Sequence, residues 1–165
     1  MNARVIIRNC VFCLLILTSH AALAVAPKVP YYASIRVQEA NVRTGPSIKY
    51  PIEWVYKRKT WPVKIVATFE DWRKIVDMHG EVGWIHNRLL SKQRHAVINS
   101  NGVQEVHRSP LDNSAVSFIA ENGVIGQLVK CQESWCQVQV DEHKGWVKRK
   151  FLWGADQEDQ NPGLY

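Results

Sequence analysis

The chain predicts an all-β protein, two small five-stranded barrels in tandem, and three observations carry that expectation. A long stretch recurs: Pro46, Trp72 and Trp84 come back as Pro110, Trp135 and Trp146, at offsets of 64, 63 and 62 residues. A repeat this long is a whole small domain rather than one unit of a solenoid. No segment sustains the 3.6-residue apolar period of a helix; instead, short runs of Val, Ile, Trp and Tyr alternate with turn residues every ~8–12 positions. Five such runs fit into roughly 55 residues, the content of a small barrel.

Read in order, the chain opens on a segment outside the fold. Arg4 and Arg8 precede the apolar run Cys10–Leu17, and Ala22-Leu-Ala24 supplies small residues at a cleavage site. This is the layout of a secretory signal peptide over residues 1–24, cut after Ala24. The apolar run falls short of the ~20 residues a membrane span needs. The expectation is a periplasmic or secreted protein with no stable membrane insertion after cleavage. Losing Arg4 and Arg8 lowers the net charge from +6 to +4, since no acidic residue lies in that segment. Residues 25–32 read as a Pro-rich extended leader on the surface.

Module one is expected over residues 33–92. Val37 and Val42 sit near the first turn, Thr44-Gly-Pro-Ser47. Trp54-Val-Tyr56, Val63–Val66, Arg73–Met78 and Val82–His86 are strands, and Asn87–Leu90 closes the module in a single helical turn. Ser91–His95 is a short join, so the modules touch. Module two is expected over 95–154, opened by Ala96-Val-Ile98, with a central hairpin of Val124–Cys131 and Cys136–Val140. Residues 155–165, polar and acidic, read as a disordered tail.

Outside the signal segment only Cys131 and Cys136 remain. If Gln132–Trp135 is a four-residue hairpin loop, the two stand opposite each other, with Cβ atoms ~5 Å apart, and export permits a disulfide. Cys136, Val138 and Val140 then share an inward face with Val129 and Cys131, and Trp135 points away from it.

The chemistry of an enzyme is missing from the pattern. A zinc site would need two ligands beyond the cysteines, and His143 is the only nearby candidate. His79, His86, His95 and His107 are scattered over turns and strand ends. No His-Glu-x-x-His, Gly-x-Ser-x-Gly or phosphate-binding glycine loop occurs. The chain is therefore expected to be non-enzymatic, with no catalytic residue, metal or cofactor.

Asn41-Val-Arg-Thr-Gly-Pro-Ser47 is similar to the opening motif of bacterial SH3-like (SH3b) domains, which runs Leu-Asn-Val-Arg-Ser/Thr-Gly-Pro-Ser. Tyr50–Tyr56, Trp72-Arg-Lys-Ile75 and Gly83-Trp-Ile-His86 resemble the exported alphaproteobacterial type. Module two departs: Val106-His-Arg-Ser-Pro110 lacks the Thr-Gly pair, and no Trp matches Trp54. The resemblance implies strongly bent five-stranded barrels and a binding role in the cell envelope, either on peptidoglycan or on another protein.

Binding residues are sought among the seven tryptophans. Trp84 and Trp146, in Gly-Trp-hydrophobic strands, are expected in the cores. Trp72 has opposite parity to Ile75 and is expected to face outward, where a groove can use it. Tyr50, Trp54, Tyr56 and Trp72 are the candidate ligand-binding residues, since aromatics offer a large apolar face for peptides or sugars. Lys57–Lys59, Arg73-Lys74 and Lys148–Lys150 are solvated turns or attract anionic envelope polymers. Export argues against nucleic acid as a partner. Two functions remain open: docking on peptidoglycan or its peptide stems, and an adaptor that regulates an envelope protein.

Overall fold

The computed structural model describes residues 28–156. The expected signal segment with its cleavage after Ala24, and residues 157–165 of the expected tail, lie outside the described residues. The fold is all-β, in two copies. Module one contains β1 (Tyr31–Ile35), β2 (Ala40–Arg43), β3 (Ile52–Tyr56), β4 (Pro62–Phe69), β5 (Trp72–Val76), β6 (Val82–His86) and β7 (Leu90–Ser91). Module two contains β8 (His95–Ile98), β9 (Gln104–His107), β10 (Val116–Ala120), β11 (Ile125–Gln132), β12 (Trp135–Val140), β13 (His143–Lys148) and β14 (Leu152–Trp153). A 3-10 turn precedes the last strand of each, at Asn87–Leu89 and Arg149–Phe151.

Each module is one bent antiparallel sheet of seven strands, ordered β3-β2-β6-β5-β4-β1-β7 and β10-β9-β13-β12-β11-β8-β14. The expected pair of SH3-like all-β modules is thus present, with seven strands in each sheet rather than five and the barrel left open. The leader supplies a further strand, β1, and the chain returns after the 3-10 turn to pair β7 with it. Tyr32, expected on the surface, is buried, because β1 lies between β4 and β7 rather than over the sheet. The tail also begins later than expected: Ala155 is packed into the second core and Asp156 accepts a hydrogen bond from the Tyr32 hydroxyl at 2.9 Å.

Alternation decides what fills each sheet's concave face. Ile35, Val42, Val63, Ile65, Ile75 and Ile85 form the first core; Ile98, Val106, Cys136, Val138, Val147 and Leu152 form the second. Ile85 and Val147 occupy the core positions of the Gly-Trp-hydrophobic strands, so Trp84 and Trp146 stand on the opposite face, where Trp84 is half-buried and Trp146 is buried, 6% exposed. The glycine before each Trp is required by close approach. A Cβ on Gly83 would lie 2.4 Å from Val42 Cγ1, and one on Gly145 would lie 2.6 Å from Val106 Cγ1.

Cys131 and Cys136 are bonded, with S–S 2.04 Å and Cα atoms 4.0 Å apart. Gln132 pairs with Trp135 as well, so the loop is two residues, Glu133-Ser134, rather than four. A bulge between Leu128 and Lys130 turns Val129 outward, 42% exposed, against the inward place its parity gave it. A one-residue slip of this kind moves a side chain to the other face. Module one has its bulge at the matching place, between Ile65 and Ala67.

The modules touch, as the short join requires. Ser34 Oγ accepts a hydrogen bond from the His95 backbone N–H at 3.1 Å and lies 3.0 Å from its Nδ1. Tyr32 meets Trp153 edge to face, with centroids 5.1 Å apart, and Lys64 lies 3.7 Å from Asp156.

Candidate ligand clefts

The loop after β2 is built twice on one plan. Ser47 N–H donates to the Gly45 carbonyl and Tyr50 N–H to the Ser47 carbonyl; Leu111 N–H donates to Ser109 and Ser114 N–H to Leu111. The last residue of the preceding strand braces each loop from the side. Arg43 Nη1 donates to the Tyr50 carbonyl at 2.7 Å, and His107 Nδ1, 2.9 Å from the Ser114 carbonyl, must carry the proton there, because a carbonyl only accepts. Gly45 has a steric reason: its Cβ would sit 2.6 Å from three Tyr50 ring carbons. Module two carries Ser109 and Ser114 at these places, and Ser114 Oγ accepts from the Ser109 N–H at 3.0 Å. The missing glycine is explained: where no ring lies over the loop, no glycine is needed.

Beside each loop lies a cleft floored by the first residue of the returning hairpin strand, Trp72 or Trp135. The first, about 70 Å³, is lined by Asn41, Arg43, Ile48, Trp72, His86, Arg88 and Leu89. The second, about 680 Å³, is lined by Asp112, Glu133, Ser134, Trp135, Lys148, Arg149 and Lys150. The repeat offsets superpose Arg43 on His107, Ile48 on Asp112, Trp72 on Trp135 and His86 on Lys148. Each indole meets a histidine edge to face, Trp72 with His86 at 5.3 Å and Trp135 with His107 at 5.5 Å. Lys148 Nζ stands 5.5 Å over the Trp135 ring, within cation–π range, and 2.5 Å from Asp112 Oδ1. Arg149 is committed to the backbone, donating to the Glu133 carbonyl at 2.7 Å and the Ala155 carbonyl at 3.2 Å.

The four candidate residues of module one do not converge. Trp72 lines the cleft, but it is 8% exposed, so the expected outward-facing indole is corrected. Parity does place it opposite Ile75; its burial comes from the cover that the β2 end, its loop and His86 provide. Tyr50 is 47% exposed and lies over Gly45. Trp54 packs on the core and over Gly83. Tyr56 donates its hydroxyl to Asp77 Oδ2 at 3.2 Å. Burial first, and then the Asp77 carboxylate, push that hydroxyl well above its usual pKa. Asp77 Oδ1 in turn accepts from the His79 and Glu81 N–H groups, so Tyr56 belongs to a turn-holding network. Sequence reasoning missed Arg43, His86, His107, Asp112 and, as a single site residue, Lys148. Aligning the two copies position by position would have drawn them to one place.

The family profile described as the bacterial SH3 domain matches residues 36–92 and 102–154, and the chain belongs to that family. Among curated proteins it is similar to a Bacillus subtilis (strain 168) protein named as an N-acetylmuramoyl-L-alanine amidase, YrvJ, at 26% identity over 131 residues. The match covers 73% of this chain and 25% of that protein, so the chain spans about a quarter of the curated relative's length. Among solved structures, NlpC1 from Trichomonas vaginalis has a TM-score of 0.34 and 7% identity, covering 78% of this chain and 47% of that one. An NlpC/P60 family protein from Bacillus cereus ATCC 10987 has 0.33 and 13%, covering 74% and 55%. Likenesses this weak carry no functional weight.

Proposed function

We propose that the protein is an exported, non-enzymatic binding protein of the cell envelope that docks on peptidoglycan or its peptide stems through these clefts. One observation carries the reading: both copies place a tryptophan floor beside basic side chains at the same point of the fold. Such a surface offers an apolar face next to positive charge, which suits peptides that bear small side chains and carboxylates. The curated relative's name, a wall amidase matched over only part of its length, supports a wall-directed role for a domain of this kind. Both cysteines of the described residues are tied in a disulfide, so neither offers a thiolate nucleophile.

Co-sedimentation with insoluble peptidoglycan tests the reading. The mature chain should be retained in the pellet, and the double variant Arg88→Gln/Lys148→Gln should be largely released, both changes lying at the cleft rims rather than in a core. A wild-type chain that stays in the supernatant overturns it.

A second reading, an adaptor for another envelope protein, is favoured by a different feature. β3 and β10 are open edges and carry the exposed apolar residues Ile52, Val55, Val116 and Ile119 at matching positions. Strand addition uses edges of this type. An envelope protein that co-purifies with the wild type but not with Ile119→Lys would support it.

A further inference from the structure

We propose that the two clefts are not equivalent: the second module holds a carboxylate site at Lys148, and Asp112 occupies that site until a peptide C-terminus displaces it. This deepens the binding function proposed above and rests on it. Lys148 is held between a ring and a carboxylate. Its ammonium sits 5.5 Å over Trp135 and 2.5 Å from Asp112 Oδ1. The Asp112 carboxylate therefore stands where an incoming carboxylate would dock.

Asp112 is suited to leave. Its side chain is 74% exposed, on the loop between β9 and β10, while that of Lys148 is 33% exposed and fixed against the indole. An ion pair with one arm so exposed is weak and exchangeable. The other cations have other duties: Arg149 is bound to two carbonyls, and Lys150 lies 4.8 Å over the Phe151 ring. Lys148 is the cleft cation whose partner is a largely exposed side chain.

Three cations and two acids line the cleft, Glu133 being the second acid. That balance suits one carboxylate and disfavours a polyphosphate, which Glu133 would repel after Asp112 had moved aside. A peptide C-terminus meets the requirement and brings a small side chain to the edge of Trp135. The first module cannot act alike. Ile48 and His86 stand where Asp112 and Lys148 stand in the second, and its cleft holds about 70 Å³ against 680 Å³.

The test is a titration of the mature chain with N-acetylalanylalanine and with its C-terminal amide, followed by NMR shifts of the indole N–H groups at low salt. The acid should bind, and the amide should bind at least about tenfold more weakly, as loss of a charge-assisted contact requires. Asp112→Asn should tighten the acid about two- to fivefold, the range a largely exposed competing pair can supply. Lys148→Gln should weaken it about tenfold or more. No binding of the acid, equal binding of acid and amide, an Asp112→Asn variant no tighter than wild type, or wild-type affinity in Lys148→Gln each overturns the proposal. Retention on peptidoglycan with a Lys148-independent dipeptide affinity sinks this inference and leaves wall docking standing. Lys148-dependent dipeptide binding without retention sinks wall docking and leaves the carboxylate site standing.

Discussion

Gly45→Ala isolates one steric contact. The new methyl would lie 2.6 Å from Cγ, Cδ1 and Cε1 of Tyr50, where carbon contacts ordinarily settle at ~3.5–4.0 Å. The ring must retreat by about 1 Å. Overpacking of this kind costs ~1–3 kcal/mol. Tyr50 is half-exposed and yields toward solvent, so the lower end applies, about 1 kcal/mol. Gly45 is not among the glycines in the left-handed region, so alanine is not strained there and should stabilise by ~0.4–1 kcal/mol through the unfolded chain once the clash is gone. Tyr50→Ser removes the ring and copies the arrangement module two already has, with Ser109 and Ser114. In that background the same Gly45→Ala change should become neutral or stabilising, a coupling of about 1–2 kcal/mol. Urea midpoints of the four proteins, at constant slope, measure it. Additive effects of the two changes, or a Gly45→Ala single variant as stable as wild type, would refute the steric account of Gly45.

Three further outcomes follow from the same geometry. Gly83→Ala should cost ~1–3 kcal/mol in thermal melts, because Val42 Cγ1 and the Trp54 ring, at 2.4 and 2.9 Å from the new Cβ, are hemmed in by the first core. Reducing Cys131–Cys136 should lower stability by about 2 kcal/mol, the chain-entropy value for so short a loop, seen as a lower urea midpoint with reductant present. Burial holds His95 below its ordinary pKa, so the folded chain takes up fewer protons than the unfolded one. Its contribution is intact above about pH 6.5 and is lost as pH falls toward the lowered value, so melts at pH 7.5 and 5 should diverge, and His95→Gln should narrow the gap.

The strands between Trp54 and His86 and the hairpin from Val124 to Val140 were legible because each carries its own local signal. Val63–Val66 and Gly83-Trp-Ile alternate cleanly, the 3-10 turn fell where Asn87–Leu90 placed it, and the cysteine pair followed from a hairpin that was itself legible. Three features were hidden. A bulge leaves no mark in composition, so Val129 was assigned the wrong face. β1 is held by pairing with β4, distant in sequence, and two prolines made it read as a leader. Trp72 and Trp135 do point off the core face, yet cover from another strand's loop buries them, and parity along one strand says nothing of that cover. The cleft residues Arg43, His86, His107 and Asp112 have no motif of their own; they become a set only when the copies are laid over each other.

The stiff join between the copies has a consequence for avidity. His95 bonds to Ser34 across the seam, and Tyr32 is flanked by Trp153 and Asp156, so the modules do not hang on a flexible tether. A flexible tether would let two sites search for their targets independently, whereas a rigid pair gains from its second site only when the target's spacing matches its own. If the proposed wall docking uses both modules, the fixed spacing would favour a lattice whose interval matches it over one that engages a single module.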